Sequence, residues 1–167
     1  GVVLKPTAFV WGEGEAWASQ VIEKDGKFYY YTTAQGTQPV YGKAVGVAVS
    51  DTPVGPFRDA IGKPLFENGS WDHIDPSVFI DDDGQAWVCW GNPQLYYLKL
   101  NEDMISYEGD VILADMTEEA FGSPKNRERG KQYKDSYTEG PWLTKRGDTY
   151  QLIYAAGGIP EHISYST

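Results

Sequence analysis

Three tight-turn glycines recur along this chain, each flanked by strand-forming sequence, and that repeat limits what it can fold into. Asp25-Gly26 is followed by Lys27-Phe28-Tyr29-Tyr30-Tyr31, Asp83-Gly84 by Gln85-Ala86-Trp87-Val88-Cys89-Trp90, and Arg146-Gly147 by Asp148-Thr149-Tyr150-Gln151-Leu152-Ile153-Tyr154. The spacings from Gly26 to Gly84 and from Gly84 to Gly147 are 58 and 63 residues. An Asp-Gly pair between two β-rich runs marks a hairpin turn. First strands are read at 16–22, 76–80 and 141–144, and third strands at 45–49, 95–100 and 162–165. Weaker fourth strands are read at 64–66 and 111–113.

Four strands per unit, repeating near sixty residues, predict an all-β fold of the β-propeller type. The blade-like units fall at about 14–66, 72–114 and 137–167, the last incomplete. Propellers need at least four blades, and an open stack would leave raw sheet faces. The remaining blades of the propeller are therefore expected as partners, in a longer protein. Residues 117–136 are polar and charged, with Gly122, Pro124 and Gly130, and read as an inter-blade loop with a helical turn at 117–120.

The 167 residues make one domain the prior, and 12 Tyr, 6 Trp and 19 Gly favour strands over helices. A formal net charge of −10 excludes a basic footprint for nucleic acid and disfavours an anionic membrane, while neutral partners such as sugars remain compatible. Cys89 is the one cysteine; its neighbours Trp87, Val88 and Trp90 make it a core residue rather than a nucleophile. No signal peptide or long apolar run is seen, and the opening Gly1-Val2-Val3 reads as mid-domain sequence.

Two acids stand at matching places in successive units. Asp75, in Ile74-Asp75-Pro76-Ser77, lies nine residues before Gly84; Glu139, in Thr138-Glu139-Gly140-Pro141, lies eight before Gly147. The matching position in the first unit is Trp17 or Ala18. Innermost strands line a propeller's channel, so these carboxylates would share the rim of one cavity, and paired carboxylates in a cavity suit the cleavage of glycosidic bonds. Spacing alone is equally compatible with an Asp capping a turn before Pro and a solvated Glu. Trp17 and Trp71 are candidate sugar platforms, and His73 a candidate donor to a sugar hydroxyl, each with a structural role as the plainer alternative. His162 is a weaker candidate for the channel. Asp81-Asp82-Asp83-Gly84 lacks the alternate spacing and terminal Glu of a calcium loop and reads as a turn. No phosphate loop, nucleophile elbow or Cys/His metal cluster is present in the sequence.

These motifs resemble those of glycoside hydrolase family 43, whose fold is a five-bladed β-propeller. Residues 74–84 look like that family's middle carboxylate motif, and Tyr137-Thr138-Glu139-Gly140-Pro141 like its general-acid motif. Glu15-Ala16-Trp17-Ala18-Ser19 is similar to its Trp-Ala-Pro motif, with Ser19 in place of Pro, and residues 46–57 match its strand-and-turn signature. The resemblance runs through essentially the whole chain, in order. It implies an inverting enzyme with three acids: Glu139 as general acid, Asp75 as the pKa modulator that orients it, and an Asp on the preceding blade as general base. Residues 2–9 contain no Asp, and Glu13 and Glu15 lie on the wrong side of the motif. Inversion needs the base roughly 6.5–9.5 Å from the acid, so this chain alone is expected to be inactive.

The resemblance implies a glycosidase of arabinose- or xylose-containing plant polysaccharides or oligosaccharides, of the β-xylosidase, α-L-arabinofuranosidase or arabinanase type, serving xylan degradation. The alternatives are a non-catalytic carbohydrate-binding β-propeller, or a structural or protein-interaction propeller. No cofactor is required, although the family implies a structural calcium in the channel of the intact protein, held by a histidine beyond Thr167. The substrate class favours a secreted or periplasmic location and leaves a cytoplasmic one open.

Overall fold

The computed structural model describes residues 1–121, 136–157 and 162–167, with His162 described by its backbone only. Gly122, Pro124 and Gly130 of the expected inter-blade loop, and the His162 side chain, lie outside the described residues. Three antiparallel meanders follow one another. The first joins β1 (Gly12–Lys24), β2 (Lys27–Gly36), β3 (Lys43–Ser50) and β4 (Arg58–Asp59) in that order. The second joins β5 (Ser77–Ile80), β6 (Ala86–Trp90), β7 (Tyr96–Lys99) and β8 (Ile112–Leu113). The third holds β9 (Tyr137–Arg146), β10 (Thr149–Ala156) and β11 (His162–Ser166). A short α1 (Glu118–Phe121) occupies the expected helical turn, with the Ala120 N–H donating to Thr117 Oγ1.

The turn glycines do what the repeat requires. Gly26, Gly84 and Gly147 have φ of 75°, 83° and 60°, where a side chain would be strained. In the second turn the Gly84 N–H donates to Asp81 O and the Asp81 N–H to Gln85 O, so Asp81-Asp82-Asp83-Gly84 is a hairpin turn. The first sheet's outermost strand differs from expectation. The chain turns back through Thr52–Gly55 and pairs Arg58 and Asp59 with Val49 and Ala48; the 64–66 segment makes only an isolated bridge, Phe66 to Val45. Phe66 is drawn away by its ring, which packs 4.6 Å from His73 and 4.7 Å from Trp90 in the second sheet.

Strand periodicity places the cores. Tyr29 and Tyr31 of β2 face the second sheet, where Tyr31 joins Val78, Val88, Trp90 and Leu98. Phe28 and Tyr30 face the other way, onto Phe9 and Trp11 of the N-terminal segment. On β6, Val88 and Trp90 face the first sheet while Cys89 packs with Tyr137 and Tyr154 of the third. Cys89 is a core residue, its thiol pushed up to about 11 by burial. The outward side of the third sheet leaves Ile163 and Tyr165 exposed. No described helix is long and apolar enough to cross a membrane.

The second and third sheets are also joined by charge at their hairpin ends. Lys145 Nζ donates to Asp81 Oδ1 and Asp82 Oδ2, both at 2.8 Å, and the Tyr150 hydroxyl donates to Asp81 Oδ2 at 2.5 Å. The bonds from Lys145 and Tyr150, with the Asp82 N–H, hold the Asp81 carboxyl down at about 2. A depressed carboxyl stabilises the fold above its unfolded value of 3.8, and this contribution is lost as pH falls through 2. Asp81→Asn is therefore expected to lower the thermal midpoint at neutral pH and to shrink its fall between about pH 4 and pH 2; the measurement is a melting series against pH. At the other seam, the Tyr31 hydroxyl donates to Met104 O at 2.5 Å in a fully buried site. Tyr31→Phe should cost about 1–2 kcal/mol, read by urea unfolding with unchanged slope.

Candidate active site

The innermost strands β1, β5 and β9 lie side by side but belong to different sheets, so side chains bridge them. The Gln20 amide clasps one residue of β5: its Nε2 donates to Val78 O at 3.1 Å and its Oε1 accepts the Val78 N–H. Ser77 Oγ donates to Pro141 O at 2.5 Å, joining β5 to β9. These ties set a common level. Asp75 and Glu139 each stand two residues ahead of the Ser77–Pro141 bond, and Trp17 and Asp75 each three ahead of the Gln20–Val78 clasp. Trp17, Asp75 and Glu139 thus occupy the same end of three adjacent strands.

A continuous path of contacts links them. Trp17 pairs with Thr33 across β1 and β2, and the buried Thr33 Oγ1 accepts the Asp75 N–H at 3.0 Å. Asp75 is half-buried with φ of 58°, an unusual conformation for a residue with a Cβ, and Pro76 behind it disfavours the right-handed helical alternative. Such backbone is kept where surrounding bonds over-determine it, and functional sites are where it accumulates. Next to Asp75, Ile74 O accepts the Gly91 N–H at 2.9 Å. Asn92 follows, and its Nδ2 donates to Glu139 Oε2 at 2.5 Å. Glu139 is half-buried, opposite Ala155 on β10.

The aromatic candidates divide. Trp17 is 42% exposed, and the Lys43 ammonium lies 3.8 Å above its ring while also pairing with Glu15. Trp71 is 56% exposed and follows Ser70, whose carbonyl accepts the Lys43 N–H. His73 is fully buried, which places it in the core instead of at a sugar hydroxyl. Its Nδ1 accepts the Trp90 indole N–H at 2.8 Å, Phe66 and Tyr96 pack on its ring, and burial pushes its pKa down against the pull of Asp72. Its Nε2 faces the Asp72 carboxylate at 3.8 Å.

Sequence reasoning missed Asn92, Thr33 and Lys43. Gly91-Asn92-Pro93 was legible as a break between strands, but its reach to Glu139 depends on the third sheet. Among the described residues no cluster of three His, Cys, Asp or Glu could hold a metal ion. The calcium implied by the resemblance finds no cage there. A cavity of about 390 Å³ opens elsewhere, at the seam of the second and third sheets, lined by Phe79, Trp87, Tyr97, Leu143 and Leu152 with Asp81 at its rim. It is apolar and sits toward the hairpin turns, away from the paired acids.

The family model for glycosyl hydrolases family 43 matches residues 1–167. The chain belongs to this family. It is 32% identical to a β-D-galactofuranosidase of Aspergillus niger over 84% of this chain and 36% of that protein. It is 30% identical to a xylosidase/arabinosidase of Humicola insolens over 94% of this chain and 55% of that protein. A family 43 β-xylosidase/α-arabinofuranosidase from a compost metagenome, solved with xylotriose in a calcium-free form, superposes with a TM-score of 0.77 at 24% identity, covering 99% of this chain and 56% of its own. The chain therefore spans about half the length of that structure and about a third to a half of those two relatives. Its three sheets are about three blades of the five-bladed family 43 propeller.

Gly91 is the pivot between the two acids. Its φ is 121°, and a Cβ there would meet Gln94 O at 2.1 Å. Gly91→Ala should destabilise the protein by about 1–3 kcal/mol or more, measured by urea unfolding.

Proposed function

We propose that the intact protein is an inverting glycosidase of arabinose- or xylose-containing plant polysaccharides or oligosaccharides. Glu139 is the general acid that protonates the leaving glycosidic oxygen. Asp75 is the neighbouring carboxylate whose charge favours retention of that proton until transfer and which orients the donor. The general base is a carboxylate outside the described residues; it deprotonates a water that attacks the anomeric carbon from the opposite face. Trp17 and Trp71 offer apolar ring faces to a sugar beside the acids.

The observation that carries this reading is the Ser77–Pro141 bond, which holds two strands so that Asp75 and Glu139 stand at one level. Relatives named xylosidase/arabinosidase support the pentose assignment; the relative named β-D-galactofuranosidase points to a site shaped for furanose rings as well. Any structural calcium of the intact channel needs ligands beyond the described residues, among which no group of three His, Cys, Asp or Glu stands together, and no step above depends on it.

The test is turnover of xylo- and arabino-oligosaccharides by the full-length protein and two variants. Glu139→Gln and Asp75→Asn should each lower kcat/KM by roughly 10²–10⁴-fold with unchanged melting curves. Asn is the apt replacement at Asp75 because it tolerates the same positive φ. Near-unchanged turnover in either variant would sink that residue's role. Retained sugar binding in a full-length protein with no turnover would favour the carbohydrate-binding propeller.

A further inference from the structure

Asn92 stands on a turn tied to both strands that carry the acids. Its own N–H donates to Asp72 O at 3.2 Å, and the Gly91 N–H donates to Ile74 O at 2.9 Å, which anchors the turn to the segment leading into Asp75. From the other side the Tyr137 hydroxyl donates to Gly91 O at 2.6 Å, and Tyr137 precedes Glu139 by two residues on β9. The amide is thus held against the same strand as the carboxyl it contacts, at 2.5 Å between Asn92 Nδ2 and Glu139 Oε2.

We propose that Asn92 is a positioning residue for Glu139, assigning which carboxyl oxygen carries the catalytic proton. The inference rests on Glu139 being the general acid. An amide NH2 donates and has no lone pair free to accept, so the oxygen it contacts is the unprotonated one. Oε2 is therefore the carbonyl oxygen of the acid form, and Oε1 bears the proton. In the reaction Oε1 gives that proton to the glycosidic oxygen as the carbon–oxygen bond breaks and its electron pair stays on the leaving oxygen. The water oxygen joins the anomeric carbon, and the base carboxylate takes the water's proton. Glu139 becomes anionic in this step, and the Asn92 bond strengthens as it does, because hydrogen bonds to a charged acceptor are stronger. An interaction that grows toward the transition state accelerates the step.

The experiment compares two substrates in the full-length protein. A 2,4-dinitrophenyl xylopyranoside or arabinofuranoside loses its aglycone as a stable anion and needs little protonation; xylobiose or arabinobiose needs the proton. The quantity read is the ratio of kcat/KM for the disaccharide to that for the dinitrophenyl glycoside, which does not change with the fraction of folded protein. Asn92→Ala should lower this ratio roughly 10- to 100-fold, the scale of one hydrogen bond to a charged group. Asn92→Ser, which keeps a short polar side chain on the turn and withdraws it from Glu139, should lower it similarly. Glu139→Gln should lower it further. An unchanged ratio in both Asn92 variants, with a lowered ratio in Glu139→Gln, overturns the positioning role and leaves the general acid in place. An unchanged ratio in Glu139→Gln overturns the assignment of the acid itself, and this inference with it.

Discussion

The structure depends on how innermost strands of neighbouring sheets are joined without pairing their backbones. A strand at a sheet edge carries unpaired N–H and C=O groups. Between β1 and β5 the Gln20 amide satisfies one donor and one acceptor of Val78 at once, standing in for a strand. Between β5 and β9 the Ser77 hydroxyl does half as much, at Pro141 O. Because these ties run through particular side chains, they fix the level of each strand against the next. A shift by one residue would turn the acids to the opposite face. The alignment of Asp75 with Glu139 follows from them.

The two seams around the second sheet are built differently. The first is packed by aromatic and branched residues, with Tyr31, Trp90 and Leu98 fully buried and one hydroxyl satisfied inside it. The second keeps an apolar cavity near the hairpin turns and is closed there by Lys145, Asp81 and Tyr150. At the acid end the second seam is polar and tight: Tyr137 holds Gly91, Gly91 holds Ile74, and Asn92 holds Glu139. Hydrogen bonds sit at the end that holds the two acids, and apolar contact at the end that holds the hairpin turns.

Much of this was legible in the chain. Asp-Gly turns are local chemistry, and strand-forming runs flank them, so the hairpins and the buried strand around Cys89 could be read directly. The outermost strand of the first sheet was not, because 64–66 has strand-like residues but Phe66 is claimed by rings of the next sheet. His73 failed as a surface candidate for a related reason. Its neighbours in sequence are polar or flank an acid, yet its ring lies among Phe66, Trp90 and Tyr96, brought from separate segments. Lys43 gave no signal at all; its burial depends on Glu15 and Trp17 across two strands.

By itself the sequence determined the repeat, the all-β architecture, the matching positions of Asp75 and Glu139, and membership of family 43, because each rests on residues close together or on their order along the chain. Only the tertiary structure decided which groups serve those acids. Thr33 meets Asp75 across 42 residues of chain, and Asn92 meets Glu139 across 47. Contacts at such separations are made by the packing of one sheet on another, and no local spacing encodes them.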